Sequence, residues 1–456
     1  MTDRLLIVGG DAAGMSAAMQ VRRRQPDREI VVLERGGWTS YSACGIPYLV
    51  GGIVDDLGDL VARSPATFRR DHRIDVRLGH EARAIDLDAR QVEAWDHGSG
   101  GTVRVGFDQL HVATGAVPVR PDLPGLDDPV VHGVQTLDDA ARLLDQVSAG
   151  RCERVLVVGG GYIGLEMAEA FVQRGAGVPL VEAGSQLMPS LDADIAAPLV
   201  EAMTGMGIDV RLDTRLEGVE AGGPGERATA SAGGEPIEAD LVILGMGVLP
   251  NAGLAAEAGI ATGVRGAVRV DRRQRTSADG VWAAGDCCES FHLVARAPVH
   301  IALGTVANKQ GRVAGINLGG GYAAFPGVLG TAVTRVCDVE IGRTGLSEAE
   351  ADRYGFACVG ASVEGSTRAG YFPDAKTITV KAVAELGSGR LLGAQVVGRE
   401  GAAKRVDVLA TALHAGMTVD ELVELDLGYA PPFGPVWDVV HLVARRLARA
   451  LDDDPT

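Results

Sequence analysis

Two short glycine-rich runs carry the clearest chemistry in the chain. Gly9-Gly10-Asp11-Ala12-Ala13-Gly14 follows the apolar stretch Leu5-Leu6-Ile7-Val8 and precedes a helix-like run from Met15 to Arg24. The strand-like Ile30-Val31-Val32-Leu33 then ends in Glu34, 20 residues past Gly14. Glycines let a backbone approach a pyrophosphate, the helix N-terminus carries partial positive charge, and an acid at the next strand end accepts hydrogen bonds from ribose hydroxyls. This is a dinucleotide fingerprint with one departure, Asp11 at the middle glycine. The pattern returns at Arg154-Val155-Leu156-Val157-Val158, then Gly159-Gly160-Gly161-Tyr162-Ile163-Gly164, then Val178 to Val181 ending in Glu182. Here all three glycines are present. One such run says little, because glycine turns are common. Two, each in strand–turn–helix–strand–acid context and about 150 residues apart, predict two dinucleotide folds. Glu182 is followed by Ala183-Gly184-Ser185-Gln186, with no base to pair a 2′-phosphate, which favours NADH over NADPH.

Composition narrows the class. The chain has 456 residues, 46% apolar and 23% charged, which is the balance of a globular protein of about three domains. A net charge of −17 argues against nucleic acid and against an anionic membrane surface, since both bind through basic patches. No stretch approaches the ~18 apolar residues of a membrane span, and the apolar run at the N-terminus is too short for a signal-peptide core. A soluble, cytoplasmic protein is expected. The six cysteines, at 44, 152, 287, 288, 337 and 358, form no C-x-x-C and no disulfide framework. The nine histidines show no ligand spacing, so no metal is expected.

Further segments resemble the two-dinucleotide flavoproteins of the pyridine nucleotide-disulfide oxidoreductase superfamily. Phe107 to Gly115 (with Ala113-Thr114-Gly115) is similar to the segment by which that superfamily leaves its FAD domain. Leu244-Gly245-Met246-Gly247-Val248-Leu249-Pro250-Asn251 resembles its return from the NAD domain, and Thr276 to Asp286 its second FAD motif. The resemblance implies FAD contacts at Gly9, Asp11, Ala12, Ala13, Gly14, Glu34, Arg35, Ala113, Thr114, Gly115, Gly285 and Asp286, the last on the ribityl chain. It implies NAD(P)H contacts at Gly159, Gly161, Tyr162, Ile163, Gly164, Glu166, Glu182 and Gly245. Tyr162 would stack over the flavin until nicotinamide displaces it. The plain reading of Asp286 is a helix N-cap, and Cys287-Cys288 directly after it would start a helix as small residues rather than act as a redox pair.

Ser40-Tyr41-Ser42-Ala43-Cys44-Gly45-Ile46-Pro47-Tyr48 selects a branch. Glutathione-reductase-like members carry a second cysteine five residues on, where this chain has Leu49. The segment resembles the single-cysteine branch of coenzyme A-disulfide reductases, NADH oxidases and NADH peroxidases. Ala12 stands where the peroxidases and many oxidases carry a histidine, and Tyr371 and Tyr429 match two tyrosines that the reductases bring from the partner subunit. Gln20, Arg23 and Ser40, with Lys404 and Arg405 in the C-terminal segment, match substrate-side positions; Trp437 departs from a lysine found in some reductases. The resemblance implies an FAD-dependent NAD(P)H:disulfide oxidoreductase acting through a mixed disulfide on Cys44, with coenzyme A disulfide or a related disulfide or persulfide as substrate. An NADH oxidase working through a Cys44 sulfenic acid is the enzymatic alternative, and a redox-sensing NADH-binding flavoprotein the alternative of another class. Only a thiolate attacks sulfur, and the tight turn leading into a helix at Cys44 is expected to lower its pKa.

These residues need particular elements behind them. The fold expected is α/β: two doubly wound, Rossmann-like dinucleotide-binding domains with a C-terminal α+β dimerisation domain. The first, for FAD, is split into 1–115 and 246–328; the NAD(P)H domain is inserted at 116–245; the C-terminal domain covers 329–456. A homodimer with active sites completed across its interface follows from the resemblance. Ala221 to Gly225 and Gly233-Gly234 read as hairpin loops. Val439 to Leu451 reads as a packed amphipathic helix rather than a membrane-binding one.

Overall fold

The computed structural model describes residues 3–223 and 226–453, so Pro224 and Gly225 of the first expected hairpin loop lie outside the described residues. Both glycine-rich runs begin where an apolar strand ends. Arg4–Val8 is the central strand of a five-stranded parallel sheet, flanked by Glu29–Leu33 on one side and Gln109–Val112 on the other, with Asp75–Arg77 and Val281–Ala283 at the edges. Four of its five residues are buried, the continuous apolar pattern of a strand covered on both faces. Val155–Val158 occupies the same place in a second five-stranded parallel sheet, between Pro179–Val181 and Leu241–Leu244, with Asp209–Arg211 and Val131–Gly133 outermost. The chain passes from the first unit to the second through Ala116–Pro118 and returns through Val248–Pro250. These two segments pair antiparallel as one ribbon.

Small residues set how closely the helices approach. The first helix, Ala12–Arg24, packs on Gly304–Leu318. A Cβ on Gly311 would lie 2.3 Å from the Ala13 carbonyl oxygen, and one on Gly315 2.5 Å from that of Ala17.

The C-terminal unit is a five-stranded antiparallel sheet in the order Ala332–Val336, Val339–Gly345, Leu391–Gly398, Thr377–Glu385, Cys358–Ser366. Helices Ala402–Ala415 and Val439–Asp453 cover one face; a Cβ on Gly342 would meet Val406, and one on Gly365 would meet Val439. The other face turns to the second nucleotide unit. There Val336, Val339, Ile341 and Val397 join one core with Leu165, Met167 and Phe171 of helix Tyr162–Gln173.

Ile46, Leu49 and Val50 enter that same core. They belong to Ile46–Gly51, the short helix that follows Cys44. Six residues are too few for a helix stable in water, so packing holds it. Burying each Leu- or Phe-sized side chain contributes roughly 1.5–3 kcal/mol. A Cβ on Gly51 would touch Ala170, and Arg174 Nε donates to the Val50 carbonyl at 2.7 Å. No helix among the described residues is long and apolar enough to cross a membrane.

Candidate active site

The two glycine turns are built alike, down to their acids. At the first, the Gly10 and Gly36 amides donate to the two carboxylate oxygens of Glu34 at 2.8 and 2.7 Å. At the second, the Gly160 and Gly184 amides hold Glu182 in the same way, at 2.6 and 2.7 Å. Gly9 and Gly159 have φ of +110° and +106°, a region that only glycine enters freely. A Cβ on Gly14 would lie 2.0 Å from the Gly9 carbonyl oxygen, and one on Gly164 1.8 Å from that of Gly159. Each turn therefore presents bare backbone amides at a helix start, the cradle a pyrophosphate requires. A cavity of about 640 Å³ opens past the strand that ends in Glu34, lined by Arg35, Trp38, Tyr41, Arg120, Gln135 and Arg142.

Asp286 provides the second test of fit for a flavin nucleotide. Its Oδ1 is buried with no hydrogen-bond partner, and burial pushes the carboxyl up to about 6. A buried unpartnered carboxylate oxygen is costly unless a donor meets it, and a ribityl hydroxyl is such a donor. The segment is held from several sides. His300 Nε2 donates to the Asp286 carbonyl at 2.7 Å, and the Gly285 amide donates to Gln310 Oε1 at 2.8 Å. The local structure corrects two expectations. Asp286 caps no helix but sits in a turn, and Cys287-Cys288 start none: Cys288 forms an isolated bridge to Val268, and the helix comes only at Gly304. Both cysteines are buried, and the Cys287 thiol lies against the carbonyls of Val112 and Ala284.

Cys44 sits where the two nucleotide units converge. It lies on the single turn Ala43–Gly45 that leads into helix Ile46–Gly51. The preceding loop is tied to the first glycine turn: the Ser40 amide donates to the Gly10 carbonyl at 3.1 Å, Thr39 Oγ1 donates to the same oxygen, and the Tyr41 amide donates to Asp11 Oδ1 at 3.0 Å. Ser40 has φ +52°, unusual for a residue with a side chain. Asp11, at the missing glycine, is thus hydrogen-bonded to the cysteine loop. Burial, with the charges of Glu34 and Asp286, pushes Asp11 up to about 6 against the Tyr41 amide.

The thiol does not behave as the turn alone predicts. Cys44 keeps exposed surface, yet partial burial and the carboxylates of Glu166, Asp286 and Asp11 hold its pKa above the ordinary thiol value. The backbone hydrogen bond at the turn lowers it, as expected, but loses to burial and three acids contributed by distant parts of the chain. Glu166 lies one turn into helix Tyr162–Gln173 and is itself raised by burial, opposed by a 2.6 Å hydrogen bond from Thr334 Oγ1. Replacing Glu166 by Gln removes one of these charges. The midpoint of Cys44 alkylation by iodoacetamide against pH is expected to move to lower pH, with a larger thiolate fraction at neutrality. A midpoint that stays in place or rises would refute this electrostatic account.

The remaining candidates lie apart from this cluster. Tyr371 and Tyr429 are exposed on the C-terminal unit, as are Phe433, Val436 and Trp437. Gln20 accepts a hydrogen bond from Arg24, and Arg23 is exposed on the same helix. Lys404 is exposed and paired with Asp407. Arg405 pairs with Asp438 at 3.0 Å and donates to the carbonyls of Gly401, Thr367 and Phe433, tying the C-terminal loops together. Thr39, Thr334 and Gln310 went unnoticed in the sequence, because each acts through a partner distant along the chain.

Comparison with known proteins agrees with this construction. Residues 3–311 match the profile of the family described as pyridine nucleotide-disulphide oxidoreductase, and residues 331–439 match its dimerisation domain. A CoA-dependent NAD(P)H sulfur oxidoreductase of Pyrococcus abyssi is 39% identical over 447 residues, 97% of this chain and 98% of its own. An NADH oxidase of Methanocaldococcus jannaschii is 33% identical, over 99% of this chain and 100% of its own. The crystal structure of reduced Bacillus anthracis CoADR-RHD superposes with a TM-score of 0.95 at 31% identity, covering 99% of this chain and 81% of that one.

Proposed function

Because the chain belongs to the pyridine nucleotide-disulphide oxidoreductase family, we propose that it reduces coenzyme A disulfide, or a related disulfide or persulfide, with electrons from NAD(P)H. The observation that carries this reading is a lone cysteine at the meeting point of three acids: Asp11 of the first glycine turn, Asp286 of the second flavin segment, and Glu166 of the second nucleotide helix. With Leu49 at the fifth position after it, Cys44 has no local partner with which to close an internal disulfide. Its covalent partner in turnover is then the substrate.

In this reading Gly9, Gly14 and Glu34 hold the pyrophosphate and ribose of FAD, and Asp286 its ribityl chain. Gly159, Gly164 and Glu182 hold NAD(P)H, with Glu182 and the absence of a following base favouring NADH. Bound flavin supplies the two electrons taken from the nicotinamide. The chain's own part is sulfur chemistry. The Cys44 thiolate attacks one sulfur of the disulfide, forming a Cys44–substrate bond and expelling the other half as a thiolate. That thiolate takes a proton. Two electrons and one further proton then cleave the mixed disulfide, returning Cys44 as thiolate and releasing the second thiol. The exposed tyrosines suit a homodimer in which Tyr371 and Tyr429 of the partner subunit reach this sulfur and protonate the leaving group. Ser40 lies on the loop that leads to Cys44, and with Gln20 and Arg23 it is assigned to the substrate's polar end.

Ala12 disfavours the oxidase alternative, since a methyl group passes no proton to a peroxide. The discriminating experiment measures NADH consumption by the flavin-loaded protein with oxygen alone and with coenzyme A disulfide added. Turnover several-fold faster with the disulfide is expected, together with a coenzyme A adduct on Cys44 in the mass spectrum of unreduced protein. Oxygen turnover as fast as disulfide turnover, with unmodified Cys44, would overturn the reading.

A further inference from the structure

Three long polar side chains form a row across one face of the C-terminal sheet. Arg343, Gln395 and Lys381 are paired in register on three adjacent strands, Arg343 opposite Gln395 and Gln395 opposite Lys381. Residues directly opposite one another project from the same face. This is the face that Ile341 and Val397 bury against the second nucleotide unit. Lys381 and Gln395 are 8% and 2% exposed, in strands whose other residues are largely apolar.

All three reach the same short segment of the second unit. Lys381 Nζ lies 3.3 Å from Asp192 and 3.0 Å from Asp194, and 2.5 Å from Glu348 of its own unit. Gln395 engages Asp192 twice: its Oε1 accepts from the Asp192 amide at 2.7 Å and its Nε2 donates to Asp192 Oδ2 at 2.7 Å. Arg343 donates to the Ser190 carbonyl at 2.5 Å and is braced by Glu350 at 2.6 Å.

Segment 190–194 closes the loop that follows Glu182, and this loop folds back over the second glycine turn. The Met188 amide donates to the Gly160 carbonyl at 2.8 Å, and a Cβ on Gly160 would lie 2.6 Å from Leu187 Cδ2. Ser190 neighbours the Tyr162 hydroxyl. A buried ion cluster contributes little net stability compared with apolar residues of the same size. What a fully partnered polar row does supply is one register, because any sliding leaves charges unpaired. An apolar stripe would hold the two units together without setting the loop's height.

We infer that Lys381, Gln395 and Arg343 are positioning residues for the pyridine nucleotide: from the C-terminal sheet they fix the loop that walls the second glycine turn. This rests on the reading that the second turn binds NAD(P)H. Lys381→Met in the flavin-loaded full chain, assayed with ferricyanide as electron acceptor, is expected to raise KM for NADH about ten-fold while kcat stays within about two-fold. Lys381→Arg is expected to restore KM to within about three-fold of wild type, since it returns the charge. Asp194→Asn, altering a half-exposed partner, serves as the second variant should Lys381→Met fail to fold, with an expected rise of about three-fold in KM for NADH. A lowered melting temperature with KM unchanged in whichever variant folds would overturn the inference. If the wild-type chain itself fails to oxidise NADH, the proposed function falls; if it does oxidise NADH and the variants keep its KM, only this inference falls.

Discussion

Cys44→Ser is expected to lower disulfide-dependent NADH oxidation roughly a thousand-fold or more while flavin content stays at the wild-type level. Serine is nearly isosteric, and Cys44 lies on an exposed single turn with no core packing role of its own, so folding is spared. The chemistry is not. A hydroxyl forms neither a thiolate nor a mixed disulfide, and no other sulfur can stand in. Cys287 and Cys288 are buried beneath the first sheet, Cys152 packs against the core of the second unit, Cys337 is packed against Ala202 and Met206, and Cys358 lies on the outermost C-terminal strand. Retention of even a tenth of the wild-type disulfide turnover in the serine variant would remove Cys44 from the mechanism. Flavin reduction by NADH in the same variant separates the two halves of the reaction: it is expected to persist, because Cys44 donates nothing to the second glycine turn.

Gly9→Ala is expected to yield protein that purifies without flavin and without activity. Two independent costs coincide at this position. The backbone at φ +110° lies where a side chain costs about 1–3 kcal/mol. The added Cβ would also stand 2.1 Å from the Ala113 carbonyl oxygen, a backbone atom just past the adjacent strand that cannot swing away as a side chain does. Relief requires the turn to move off the strand, and the amides meant for the pyrophosphate move with it. Gly387→Asn is the matched control: φ is +75° and nothing lies within 4 Å of the new Cβ, so flavin absorbance is expected to match wild type. Equal flavin content in the Gly9 and Gly387 variants would show that the first turn does not cradle the cofactor.

How far the sequence alone reaches depends on the range of each interaction. Both glycine turns, their helices and their acids were legible, because each requires residue types at short fixed spacing: glycines where backbones touch, an acid at the next strand end. The structure adds that Glu34 and Glu182 are braced by their own turns through matching pairs of amide hydrogen bonds, a repetition already implied by the two local patterns. The lone Cys44 was legible as well, through Leu49 at the fifth position and the segment around it.

The electrostatics of that cysteine were not. Its own turn predicts a lowered pKa, whereas burial, and after it Glu166 and Asp286, more than a hundred residues away along the chain, raise it. Asp286 and the Cys287-Cys288 pair followed the same rule: residues suited to a helix start sit in a turn, because Gly285 and Asp286 are fixed by Gln310 and His300 from a later segment. The row of Arg343, Gln395 and Lys381 is the extreme case, since nothing in three separate strands announces that their polar residues align. Short-range pattern thus determined which residues could do chemistry and which elements carry them. Charge environment and registry between units were decided only by folding, because Coulombic energy and hydrogen bonding depend on distance in space, and the tertiary structure alone sets that distance for residues remote in the chain.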